Sequence, residues 1–99
     1  MIFAGNDNMA LGAYRAAKEA AKEITIIGYD AVSDALTSIQ NGEMSATIAQ
    51  FPAEMGIQGV DAAIALINGG TMPAETFTKT ELITKDNVAD FVTYLAQFK

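Results

Sequence analysis

The order in which two kinds of apolar pattern alternate constrains this chain more than any other feature. Short β-branched or continuous apolar runs take turns with stretches of helical period, joined by brief connections. Ile2-Phe3-Ala4 is a short apolar run. Asn8 to Glu23 then carries Met9, Leu11, Ala13, Tyr14, Ala17, Ala20 and Ala21, which approximate the i, i+3, i+4 spacing of a helix. Asp7 or Asn8 is placed to cap its first turn. Ile24-Thr25-Ile26-Ile27-Gly28 has the character of a strand buried on both faces. Ser33 to Gln40 puts Ala35, Leu36 and Ile39 on one helical face, and Asn41-Gly42 ends it. Ser45 to Ala49 reads as a third strand. Pro52 sits where proline is welcome, at a helix start. That helix runs from about Ala53 to Asn68 with Met55, Val60, Ala63, Ile64 and Ile67 inward, and Gly69-Gly70 stops it. Thr76 to Ile83 is β-prone, and Asp86 to Gln97 closes the chain with an amphipathic helix carrying Val88, Phe91, Val92 and Leu95, with Phe98 just beyond.

The resulting order, βαβαβαβα, predicts an α/β fold: a three-layer arrangement of a mostly parallel sheet with flanking helices. Ninety-nine residues suffice for one small α/β domain. Eighteen alanines, concentrated on the helices, let those helices lie close to the sheet. The break from Asn68 to Pro73 is the best candidate linker.

Composition removes several kinds of chemistry. Twelve acids against six bases give a net charge of −6, the wrong sign for nucleic acid, whose affinity comes from Lys and Arg neutralising phosphates. No nucleic-acid partner is therefore expected. With no cysteine and no histidine, disulfides, thiolate metal sites, Ser-His-Asp and Cys-His catalysis and His-based zinc chemistry are excluded. No apolar run approaches the ~20 residues of a membrane span. Met1 to Asp7 lacks the basic and apolar regions of a signal peptide and reads as the end of a buried strand. No cofactor or metal is expected. No phosphate-binding glycine motif occurs, and Gly56-Ile57-Gln58-Gly59 lies inside a helix. A receiver domain would need an acidic cluster and a Lys after a parallel strand, which Lys79 and Lys85 do not provide.

Ligands of open parallel sheets bind outside the carboxyl ends of the strands. Three successive strand ends each present a hydrogen-bonding side chain: Asn6, Asp30 and Gln50. Asn and Gln each offer a donor and an acceptor, and Asp accepts hydroxyl protons at two oxygens, a set that fits a polyol better than a phosphate. The same positions also suit helix caps and turns, since Asn6 or Asp7 can cap the first helix, Asp30 or Ser33 the second, and Gln50 can be a satisfied turn residue.

Four segments carry a resemblance. Phe3-Ala4-Gly5-Asn6-Asp7-Asn8-Met9-Ala10-Leu11-Gly12-Ala13, Ile26-Ile27-Gly28-Tyr29-Asp30, Asn41 to Pro52 and Leu82-Ile83-Thr84-Lys85-Asp86-Asn87-Val88 are similar, in this order, to segments of periplasmic sugar-binding proteins of the ribose-binding type. That family has the type I periplasmic-binding-protein fold and feeds ABC importers. The resemblance implies a non-enzymatic, bilobed protein that closes on a monosaccharide, with Asn6, Asp30 and Gln50 contacting sugar hydroxyls. It implies that this chain corresponds to the C-terminal third: 1–50 the sugar-site half of the C-terminal lobe, 51–70 the hinge crossing and its helix, 71–99 the terminal strand and helix. Sugar-responsive transcriptional repressors share the fold and are the alternative, but the Asn-Gly-x-Met-x-Ala-Thr-x-Ala-Gln run favours the transport branch. The implied partners are a ribose-like monosaccharide or other aldose and a membrane permease. The implied location is the periplasm, or the outer surface as a lipoprotein. With one half of the site, the chain is expected to bind sugar weakly and to pair with itself into a homo-oligomer.

Overall fold

The computed structural model describes residues 1–98. Strand β1 (Ile2–Phe3) leads through Asn6 into helix α1 (Asp7–Glu19). Strand β2 (Ile26–Tyr29), helix α2 (Ser33–Gln40), strand β3 (Ala46–Ala49), helix α3 (Pro52–Ile67), strand β4 (Glu81–Thr84) and helix α4 (Val88–Ala96) follow. The sheet order is β1-β2-β3-β4. The first three strands are parallel, pairing Ile2 with Ile26 and Gly28 with Thr47, and β4 joins β3 antiparallel, pairing Thr47 with Ile83. The fold is thus the expected α/β arrangement with a parallel-rich open sheet.

Two compact units divide the chain. The first comprises Met1–Ala49 and Glu81–Lys99, the second Gln50–Thr80. In the first unit the pleat sorts the strand residues. Ile26, Gly28, Thr47 and Ile83 share a face and are buried, with Ile26, Thr47 and Ile83 fully inaccessible. That face lies toward α1: a side-chain carbon on Gly28 would meet the Ala10 methyl group and the Asp7 carboxyl. Ala10, Ala35, Leu36 and Ile39 from α1 and α2, with Val88 and Phe91 from α4, complete this core. Each fully buried Ile or Leu contributes about 1.5–3 kcal/mol. On the opposite face Phe3 and Leu82 are largely exposed, and Ile27, Tyr29 and Ile48 are half-buried. The central strand is therefore fully buried on one face only, contrary to the expectation from its continuous apolar run.

Helix ends follow local chemistry. Asn6 Oδ1 accepts from the Met9 N–H at 2.9 Å and caps α1. The cap is thus Asn6 and not Asp7 or Asn8. Helix α1 also stops before the expected Glu23. Ala21 takes φ 54°, Lys22 N–H donates to the Ala17 carbonyl and Ala21 N–H to that of Lys18. This is a Schellman ending with alanine where glycine is usual. Gly42 (φ 76°) ends α2 and Gly69 (φ 85°) ends α3 by the same bond pattern, as the two glycine signals predict. The β-prone stretch from Thr76 yields a strand only from Glu81.

The second unit is built differently. Pro52 stands at the first turn of α3, and Phe51 before it has φ 59°. Lys79 Nζ lies 4.2 Å from the Phe51 ring centroid and 3.4 Å from Glu54 Oε1, drawing the two ends of the unit together. The positions expected to face inward on α3 are not buried: no residue of the helix is, and Val60, Ile64 and Ile67 are well exposed. Periodicity marks an apolar face, but a face is buried only where something lies against it.

Candidate functional site

The parallel pairing of β1, β2 and β3 brings their carboxyl ends to one edge of the sheet. Asn6 follows β1 there and Asp30 follows β2, both in the first unit. Gln50 comes directly after Ala49, the last residue of β3, and is the first residue of the second unit.

Asn6 is half-buried and doubles as the α1 cap. Its oxygen is engaged by Met9, so what it can offer a ligand is chiefly the two amide hydrogens. Asp30 is exposed, with φ 109°, and Ala31 follows with φ 58°. Two successive non-glycine residues at positive φ are uncommon, and such strain persists only where the surroundings over-determine it. Neither Asp30 nor Ser33 caps α2. The residue in the cap position is Val32, which has no side-chain acceptor to give.

The acceptors come from elsewhere in the chain. Asp30 N–H donates to the Ile48 carbonyl at 2.8 Å, extending the β2–β3 ladder. Ala31 N–H donates to Thr47 Oγ1 at 3.2 Å. Val32 N–H donates to Asp7 Oδ2 at 2.8 Å, and the Thr47 hydroxyl donates to Asp7 Oδ1 at 2.6 Å. Asp7 also stands in the first turn of α1 and faces the start of α2, where a carboxyl group complements the helix dipole. The sequence marks Asp7 only as a candidate helix cap and does not single out Thr47. The one local signal was Gly28 inside an apolar strand, which marks a close approach. A side-chain carbon there would overlap Asp7 Oδ1.

A hollow of about 740 Å³ in the first unit lies at the other edge of the sheet, lined by Tyr14, Lys18, Lys22, Glu23, Thr25 and Glu43 among others. It collects residues that precede β2 and β3, away from the edge where open parallel sheets bind ligands. Among the described residues there is no cluster of acidic side chains that could hold a metal ion.

Comparison with known proteins identifies the family to which this fold belongs. A family model described as periplasmic binding protein domain matches residues 1–71. The ribose import binding protein RbsB of Haemophilus influenzae is 40% identical over 84 residues, which are 85% of this chain and 29% of that protein. A periplasmic solute-binding protein of an ABC transporter from Actinobacillus succinogenes, solved with bound D-allose, superposes with a TM-score of 0.83 at 30% identity, covering 90% of this chain and 32% of that one. The Caulobacter myo-inositol binding protein bound to myo-inositol gives a TM-score of 0.77 at 34% identity, covering 90% and 31%. The chain thus spans about 29% of the length of the curated relative. Its sequence and its fold agree, and the chain belongs to the periplasmic binding protein domain family.

Proposed function

We propose that this chain supplies part of the ligand site and of the hinge of a bilobed sugar-binding protein serving an ABC importer. Asn6, Asp30 and Gln50 are the hydroxyl contacts. The observation that carries the reading is the pair of polar side chains on adjacent parallel strand ends, one of them at a strained turn, with a third polar residue following the next strand. Relatives named for ribose, allose and myo-inositol support a polyhydroxylated ligand.

The hinge part of the reading rests on where the chain leaves and re-enters the first unit. It leaves after Ala49 and returns at Glu81, and these two residues are register partners across the β3–β4 pair. Two adjacent strands that carry the chain out and back make a natural hinge. The activity is binding rather than catalysis, the setting is periplasmic, and a membrane permease receives the sugar. Relatives named as import binding proteins do not favour the repressor reading.

Affinity for the isolated chain is expected to be millimolar. Exposed hydrogen bonds contribute about 1 kcal/mol net each, and three of them scarcely offset the freedom lost on association. The apolar sheet face around Phe3 and Leu82 is expected to draw two copies together at high concentration. The test is an NMR titration of the chain with D-ribose, D-allose and myo-inositol. Shifts centred on Asn6, Asp30 and Gln50, reduced by Asp30→Asn and by Gln50→Ala, support the proposal. Shifts centred elsewhere refute it.

A further inference from the structure

Asp7 is 1% exposed, yet it neither caps its own helix nor belongs to the proposed set of ligand contacts. Both of its carboxyl oxygens are used on groups far away in sequence, the Thr47 hydroxyl and the Val32 amide. Thr47 is fully buried and serves two partners at once: its oxygen accepts from Ala31 N–H while its proton goes to Asp7. The amides of Asp30, Ala31 and Val32 are therefore held in succession by the Ile48 carbonyl, the Thr47 hydroxyl and the Asp7 carboxyl. These are the amides that flank the two positive φ angles at Asp30 and Ala31.

We infer that Asp7 and Thr47 are positioning residues for Asp30, a buried carboxyl–hydroxyl pair that holds the turn after β2 in its strained conformation and so fixes where the Asp30 carboxyl group meets a ligand hydroxyl. The inference rests on the reading of Asp30 as a ligand contact. A turn with two such φ angles relaxes when its acceptors are removed, because the backbone has lower-lying alternatives. The acceptors here are buried, so water does not replace them cheaply. Gly28 belongs to the same device: only a residue without a side chain leaves Asp7 Oδ1 its place beside β2.

The test compares Thr47→Val, which keeps shape and removes the hydroxyl, with Thr47→Ser, which keeps the hydroxyl, in the full 99-residue chain studied by NMR. In Thr47→Val, the Ala31 and Val32 amides are expected to exchange with solvent about tenfold faster relative to those of Ile39 and Ile83. The HN–Hα coupling of Asp30 should move toward that of ordinary extended backbone. The D-ribose concentration needed to shift the Asp30 signal should rise about tenfold, a loss equivalent to about 1.4 kcal/mol. Thr47→Ser should restore all three. A merely structural role would speed exchange evenly across the unit and leave the Asp30 coupling and sugar response alone, and that result overturns the inference. Asp30→Asn separates the two failures. If it abolishes the sugar response while Thr47→Val does not weaken it, the site stands and the positioning role falls. If the sugar response survives Asp30→Asn unchanged, the site reading fails and the inference falls with it.

Discussion

Helices α1 and α3 each carry an apolar period, and α3 is the more apolar of the two, but they end up in different physical situations. In the first unit Ala10 of α1 is fully inaccessible, as are Ile26 and Ile83 in the sheet and Ile39 on α2. In the second unit α3 buries no residue, and Ile64 and Ile67 stand well exposed on it. The difference teaches that sequence period identifies which side of a helix is apolar, while burial depends on what the rest of the fold brings against it. It also locates the polar chemistry. A carboxyl group and a hydroxyl are held fully inside the first unit, where a low dielectric makes their hydrogen bonds firm and their loss costly.

The most forceful way to break this comparison is a pair of truncations. Ile39→Ala in the core of the first unit should cost about 2–5 kcal/mol, whereas Ile64→Ala on α3 should stay within about 0.5 kcal/mol. Urea unfolding read by circular dichroism checks both, and equal costs would erase the distinction between the units. Next in size is Gly28→Ala. The added methyl group displaces Asp7 and crowds Met44 and Ala10, which predicts a loss of about 1–3 kcal/mol. A loss no larger than that of an exposed substitution would show that the approach to Asp7 is slack. Ala21→Gly should raise stability by about 1 kcal/mol, because it removes the left-handed strain at the end of α1. Thermal unfolding would register it as a higher midpoint, and an unchanged or lower midpoint would sink the strain argument.

Much of the fold was legible because its signals are local. Gly42 and Gly69 end their helices as glycines do, and Pro52 opens one as prolines do. Alternation of strand and helix led to the parallel part of the sheet. Ala21 was not legible, since an alanine at a left-handed cap carries no sequence mark. Strand ends were readable enough to single out Asn6, Asp30 and Gln50, but Asn6 as the cap of α1 competes with its neighbours Asp7 and Asn8, and only geometry chooses among them. The Asp7–Thr47 pair was out of reach for a different reason. Its partners are forty residues apart in the chain, and nothing local to either residue announces the other. The exposed face of α3 could not be foreseen, because the apolar pattern is the same whether or not it is covered.

The central claim is that the carboxyl-end edge of the parallel strands, and not the hollow at their amino ends, meets a sugar. The most direct measurement is a map of backbone amide shifts in the 99-residue chain as D-ribose is raised into the millimolar range. The account predicts that the largest shifts fall at Asn6, Asp30 and Gln50 and that those around Tyr14, Lys18 and Glu43 stay still. Shifts centred on Tyr14, Lys18 and Glu43, with Asn6 and Asp30 unmoved, would contradict it.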